Sequence, residues 1–309
     1  MLGEKFATNL EYYKVFFYVA TYGSITAAAE RLFVSQPNVS KSIQKLEEQL
    51  GCQLFARTKR GMILTAEGQV LWERVAPACQ LILAAENELE TMKSPDGGTL
   101  SIASTEMGFK TYVLPALSLL LTDHPNVKIR FVNALNAQIL EMLEGGMIDL
   151  AILHSPLEMG DTIASKTIDV IQECFIAGPR YAHLGQKAQH LAELKKYPFI
   201  SMPEGSSGKR YLTDVFRQHG LIFEADIEVT SIELTIQAVE SNFGIGILPE
   251  RIVKKRIEAK SLFHIPTVEI LPERRAYVLR NRDFPVSSTA KAFVDNYLLP
   301  LTFGEGPKS

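Results

Sequence analysis

Two short helical segments joined by a tight turn, Ser24 to Gly51, constrain this chain more than any other stretch. Ser24 offers a side-chain acceptor to the orphan N–H groups of an opening turn, and Ile25, Ala27, Ala28, Ala29 and Leu32 continue at helical spacing. The alanines let a neighbouring helix come close. Ser35 caps the next helix, and Pro37 falls in its first turn, where a missing N–H costs nothing. Val39, Ile43, Leu46 and Leu50 then form an apolar stripe spaced by fours and threes, and Gly51 ends it. The other face carries Gln36, Asn38, Ser40, Lys41, Gln44 and Lys45, side chains that donate to phosphates or read base edges in a major groove. A two-helix corner of an ordinary bundle would also be polar outside, so this stretch alone leaves both readings open.

The next segment decides between them. LFARTKRGMILT, Leu54 to Thr65, places Arg57, Lys59, Arg60 and Gly61 between two apolar runs, the pattern of a β-hairpin whose basic tip reaches a nucleic-acid backbone. Between Ser24 and Thr65 the basic residues are Arg31, Lys41, Lys45, Arg57, Lys59 and Arg60, against Glu30, Glu47 and Glu48. The segment is positive in a protein whose formal net charge is −3. Caps, stripe and basic hairpin in this order, from Phe16 to Gly68, closely resemble the winged helix-turn-helix of the LysR-type transcriptional regulators, most specifically through SQPNVSKSIQKLE and LFARTKRG.

The resemblance implies an α/β protein with an N-terminal winged helix-turn-helix over 1–64, a dimerising linker helix over 65–93 and a two-lobed effector-binding domain over 98–309, similar to periplasmic binding proteins. Its expected DNA-facing residues are Ser35, Gln36, Pro37, Asn38, Ser40, Lys41, Gln44, Arg57, Lys59 and Arg60. The partners it implies are double-stranded promoter DNA, a small-molecule effector, RNA polymerase, and further copies of the chain as a homodimer and a homotetramer on DNA. Sequence-specific transcriptional regulation under effector control is the function expected, with no catalytic activity.

The 309 residues suffice for two or three compact units. Cys52, Cys79 and Cys174 are odd in number and far apart, which suits a reducing compartment and offers neither a disulfide framework nor a zinc site. With no signal-peptide pattern and no long uncharged apolar run, the expected location is the cytoplasm, away from membranes. No metal or resident cofactor is expected.

Along the chain, Leu10, Tyr13, Phe16, Phe17 and Ala20 mark a first helix whose aromatic residues serve as core for the small head. A long helix follows, capped by Thr65. Leu71, Val75, Ala78, Ile82, Ala85, Leu89 and Met92 alternate steps of four and three along it, the heptad seam of a coiled coil that a second copy would complete. The alternative is a helix lying on its own effector domain. Pro77 predicts a kink, and Lys93 to Thr99, with Pro95, Gly97 and Gly98, reads as a hinge.

Alternating strands and helices then predict an open, mostly parallel sheet in each of two lobes: lobe I over 98–167 and 269–309, lobe II over 168–268. Ligands in such sheets bind beyond the carboxyl ends of the strands, in the cleft between lobes. Strand-end polar residues are therefore the effector candidates: Ser104, Thr105 and His154 in the first lobe, Ser201, Ser206, Thr230 and Ser231 in the second. At any one of these positions a hydroxyl could instead be a helix cap. Lys110, Lys209 and Arg210 near the expected mouths favour a small anion. His154 as a catalytic base lacks a recognisable nucleophile or second carboxylate, GSSG at 205–208 lacks the spacing of a phosphate loop, and Gly244 and Gly246 suit close backbone approach better than dinucleotide binding. A cysteine redox switch has only Cys174 in the effector domain, without a resolving partner in the same chain.

Overall fold

The computed structural model describes residues 8–58, 61–93 and 97–303, and divides into two compact units, Met1–Asn87 and Glu88–Ser309. In the first, α1 (Leu10–Tyr22), α2 (Ile25–Leu32) and α3 (Gln36–Leu50) precede the hairpin β1 (Phe55–Thr58) and β2 (Gly61–Leu64). Ser24 caps α2 by accepting the N–H of Ala27, as its position predicts. Ser35 stands at the N-cap of α3 in extended backbone, yet its hydroxyl makes no capping bond; its backbone carbonyl takes the first N–H groups instead. Gly51 ends the helix in the left-handed region at φ 70°.

Phe16, Val19, Ala28, Ala29, Val39, Ile43 and Leu46 close the core of this head. The aromatic residues of α1 are indeed core: Phe16 lies 5.2 Å from the Phe55 ring, and Phe17 stacks on Trp72 at 5.6 Å. Leu10, expected on the packed face, is exposed, and Val15 and Val19 are buried in its place. Glu47 joins α3 to the hairpin, its Oε1 accepting the N–H groups of Leu54 at 2.7 Å and Phe55 at 3.3 Å. Gly61 is required where the hairpin crosses the α1–α2 turn, since a Cβ there would stand 2.4 Å from the Gly23 carbonyl oxygen.

Helix α4 (Ala66–Lys93) starts from Thr65, whose Oγ1 accepts the N–H of Gly68, and runs on through Pro77. Leu71, Trp72 and Val75 pack on the head core. The stripe therefore changes role along its length: Ala78, Ile82, Ala85 and Leu89 are exposed, Ile82 by 61% and Leu89 by 58%. The side chain of Met92, and residues 94–96 of the expected hinge, lie outside the described residues.

The second unit begins with β3 (Gly97–Ser104), the short α5 (Glu106–Gly108), a π turn over Phe109–Val113 and α6 (Leu114–Asp123). Then come β4 (Asn126–Asn133), α7 (Asn136–Glu144), β5 (Leu150–His154), β6 (Ile163–Ile171) and β7 (Glu173–Ala177). After β7 follow α8 (Leu191–Leu194), β8 (Ile200–Ser201), α9 (Ser207–Gln218), β9 (Ile227–Glu228), α10 (Ile232–Glu240), β10 (Ile245–Pro249), α11 (Glu250–Glu258) and β11 (Phe263–Ile265). The chain returns through β12 (Arg274–Asn281) to α12 (Ser288–Ala292), a π turn over Phe293–Leu298 and α13 (Leu299–Phe303).

The first lobe is a five-stranded sheet in the order β4-β3-β5-β12-β6. It is not mostly parallel: β3 pairs parallel with β4 and β5, while β12 runs antiparallel to β5 and β6. The second lobe departs further from the expectation, with β7 antiparallel to both β10 and β11 and parallel pairing at β8–β9 and at the isolated bridges Phe199–Ile245 and Gln189–Thr267. The reason is that β6 and β12 are crossing strands rather than products of helical crossovers, and antiparallel pairing needs no crossover. Because β6 stays in the first sheet to Ile171, the chain changes lobe at Gln172, a few residues after the expected boundary. The C-terminal segment covers the first lobe as predicted, through Ala290, Phe293, Tyr297 and Leu298. Gly244 lies so near the Pro198 carbonyl oxygen that a Cβ would meet it at 2.3 Å, which bears out close backbone approach.

Where the crossings meet, Arg274 forms a buried ion pair with Glu173, its Nε donating to the Ser155 carbonyl and a terminal nitrogen donating to Ser207 Oγ. Removing one partner strands the other's charge in the interior. Arg274→Met is expected to destabilise the effector domain by about 3–5 kcal/mol in urea unfolding, with Glu173→Leu in the same chain recovering much of the loss.

Candidate functional site

Two surfaces collect the expected functional residues. On the head, burying Val39, Ile43 and Leu46 turns the opposite face of α3 outward, so Gln36, Pro37, Asn38, Lys41, Gln44 and Lys45 are exposed and Ser40 is half-buried. Ser35, freed of capping, is exposed beside them. Arg57 is exposed on β1, whereas Lys59 and Arg60 lie outside the described residues. Glu47, an acidic residue of the same helix, is occupied with the hairpin N–H groups. Phe33 was not anticipated: it ends α2 in the left-handed region at φ 55° with 95% of its surface exposed, immediately before the Ser35 cap. A bulky residue there is strained.

The second surface is a cavity of about 290 Å³ between the two lobes of the effector domain. Thr105 and His154 line it from the first lobe, Ser201, Ser206 and Thr230 from the second. Two candidates are absent from the wall. Ser104 is fully buried and donates to the Ile152 carbonyl at 2.8 Å; Ser231 caps α10 by accepting the N–H of Leu234. Both are the capping or bonding hydroxyls that a strand-end position equally allows. Thr105 and Ser206 also cap helices, but from the wall itself.

The wall further contains Glu106, Asn136, Glu173, Ser207 and Arg274, which the strand-end argument did not single out. Asn136 could have been found, since it opens α7 just after β4. Glu173 and Arg274 could not, because their relation is made only by the fold. Glu106 reaches across the cleft, where its Oε2 accepts the N–H of Ile232 at the start of α10, at 3.1 Å. The basic residues that favoured an anion are not on the wall: Lys110 pairs with Glu106, Lys209 with Glu228 and Arg210 with Glu158.

Burial, with Arg274 and Arg251 adding repulsion, holds His154 well below the usual imidazole range, so the ring is neutral. Burial pushes the Glu173 carboxyl up, and the Arg274 guanidinium opposes it. The Cys174 thiol is pushed up to about 12, chiefly by burial, and its Sγ lies 3.5 Å from the Leu248 carbonyl oxygen. Such a thiol is mostly protonated at neutral pH, which makes it a poor nucleophile.

Family models match both parts of the chain. Residues 10–69 match the model of the bacterial regulatory helix-turn-helix protein, lysR family, and residues 93–298 match the LysR substrate binding domain. The chain belongs to the LysR-type transcriptional regulators. It is 28% identical over 294 residues to the RuBisCO operon transcriptional regulator of Allochromatium vinosum, covering 92% of this chain and 94% of that one. It is 30% identical over 244 residues to the regulator CfxR of Cupriavidus necator, covering 78% and 76%. In fold it is similar to a full-length OxyR variant from Pseudomonas aeruginosa, with a TM-score of 0.71 at 18% identity over 96% of this chain and 95% of that one. The regulator thus joins a DNA-binding head to an effector-binding domain and is not an enzyme; its family binds promoter DNA and effectors and forms oligomers. None of its described helices is long and apolar enough to cross a membrane.

The neutral His154 gives the regulator a pH signature. Its folded-state pKa lies below the unfolded value of about 6.5, so the unfolded chain takes up the proton first and stability falls as pH drops below that value. Urea unfolding of the effector domain should lose up to about 1.4 kcal/mol per pH unit from this group below pH ~6.5, and His154→Gln should remove that contribution.

Proposed function

We propose that α3 reads base edges in the major groove of promoter DNA through Gln36, Asn38, Ser40, Lys41 and Gln44, with Ser35 and Pro37 at the groove-facing turn and Arg57, Lys59 and Arg60 holding the phosphate backbone. The observation that carries this reading is the exposed polar face of α3 on a head whose core is already closed beneath it. A single copy supplies one short helix. The exposed run Ala78, Ile82, Ala85 and Leu89 supports pairing of two copies along α4, with Leu71 and Val75 contributing from the edge of the head core and Met92 from the far end. Paired heads would meet half-sites about one helical turn, roughly 34 Å, apart or at multiples of it.

The cleft residues Thr105, His154, Ser201, Ser206 and Thr230 hold the effector, with Ser104 and Ser231 fixing the elements that carry them. A ligand shifts the protein only by binding its states unequally, and a cleft between lobes meets that condition when closure changes its contacts. The regulator works in the cytoplasm beside the chromosome, as a dimer or tetramer that presents promoter-bound heads to RNA polymerase.

Gel retardation on the regulator's own upstream region, at stated salt, tests the head. Lys41→Ala should weaken binding to all sequences alike and lower the salt slope by about 1, while Gln36→Ala should lose roughly 1–3 kcal/mol at one base position. Undiminished affinity in Gln36→Ala would overturn the register assigned to α3. Leu89→Glu should yield monomers in sedimentation with an intact head; a stable dimer would remove α4 as the pairing surface.

A further inference from the structure

Phe33 is an aromatic residue that neither the core of the head nor the polar face of α3 employs. It follows the last turn of α2 in the left-handed region at φ 55°, inside the paired bonds of a Schellman ending: its N–H donates to the Glu30 carbonyl at 3.3 Å, and that of Val34 to the Ala29 carbonyl at 3.0 Å. Glycine is the residue such a position favours, because a Cβ there crowds the backbone. The other two helix ends of the head use it, Gly23 after α1 and Gly51 after α3, both left-handed. Phe33 stands there instead with 95% of its surface exposed and takes no part in the core cluster. Backbone strain that returns no burial calls for a partner outside the folded head.

The surface around Phe33 selects that partner. Phe33, Val34, Ser35, Gln36, Pro37 and Asn38 form an unbroken exposed run that passes from the turn into the opening of α3, and burial resumes only at Val39. In a helix-turn-helix the N-terminal residues of the second helix meet the base edges, so the turn that delivers them is carried to the major groove. The aromatic residue is thus continuous with the face that reads DNA. Among the groups that base pairs present in the major groove, the C5 methyl of thymine is the apolar one, and a phenyl ring has no hydrogen bond to offer the rest.

We infer that Phe33 reads thymine, its ring packing on a C5 methyl group in each half-site beside the base contacts of Gln36 and Asn38. This deepens the DNA reading proposed above and rests on it. It adds an apolar reader to a face whose other members are polar, and it accounts for a bulky residue held where glycine is favoured.

The test uses the full chain and the duplex it retains best from a random-sequence library. In gel retardation at fixed salt, Phe33→Ala should bind that duplex about tenfold more weakly, with the salt slope unchanged because no phosphate contact is lost. Replacing each thymine of the duplex in turn by uracil removes the methyl group and leaves the hydrogen-bonding edge as it was. At one position in each half-site the unaltered protein should lose about fourfold, the worth of one buried methyl group, and Phe33→Ala should lose nothing further. Phe33→Gly should raise the urea midpoint while weakening retardation, an opposition that a purely structural role for the ring would not give. Undiminished affinity in Phe33→Ala overturns the inference, as does an equal uracil loss in both proteins or a lower urea midpoint in Phe33→Gly. So does a loss of self-association in sedimentation with DNA affinity kept, which would put a second copy on the ring. A library that yields no preferred duplex defeats the DNA reading itself; a preferred duplex held equally by both proteins defeats only the role of Phe33.

Discussion

The effector domain depends on one guanidinium. Arg274 opens β12 and Glu173 opens β7, so their ion pair lies where the chain enters the second lobe and where it comes back. With Ser155 on one side and Ser207 on the other, Arg274 binds both lobes at once. A second strut lies nearby: Arg251 of α11 pairs with Asp169 of β6, which also accepts the Tyr112 hydroxyl at 2.9 Å. A buried pair of this kind adds little net stability over an apolar substitute, but losing one partner is expensive. Its value is in fixing one arrangement of the crossings, and hence the shape of the cleft that Arg274 and Glu173 themselves line.

In the head the corresponding constraint is economy of core. Three short helices and a two-stranded hairpin bury little on their own, so α4 contributes Leu71, Trp72 and Val75 to the same cluster. This divides the helix. Its first three turns belong to the head, and Ile82, Ala85 and Leu89 beyond are exposed. Glu47 completes the unit by tying the hairpin to α3, which couples the position of the basic wing to that of the helix expected to read DNA. The exposed, left-handed Phe33 stands at a turn where glycine would be easier, and no packing among the described residues of the head explains it.

The cleft shows how proximity in sequence misleads about electrostatics. Lys110, Lys209 and Arg210 stand beside cavity residues in the chain, yet each is drawn to a carboxylate, Glu106, Glu228 and Glu158, and none faces the cavity. Among the described residues, the cation on the wall, Arg274, comes from a strand far along the chain and arrives with its own counter-charge. Asn136 Oδ1, on the same wall, is buried without a hydrogen-bond partner among the described residues.

The sequence by itself determined the head almost completely. Its caps, its stripe at Val39, Ile43 and Leu46, and the Gly51 stop are local signals, each acting within one or two turns, so they could be read without knowing what lies elsewhere. The two-lobed plan and most strands from β3 to β10 were legible for the same reason, through short apolar runs bounded by turns. Tertiary structure alone decided the rest. That Ser104 would be bonded inward and Ser231 spent as a cap, while Thr105 and Ser206 stayed on the wall, depends on how each strand end is turned in the folded domain. That β6 and β12 run antiparallel to their neighbours, and that Glu173 meets Arg274, depends on which distant strands pair. Pairing between remote segments carries no local periodicity, and charge in a cavity depends on which partners folding brings within a few ångströms.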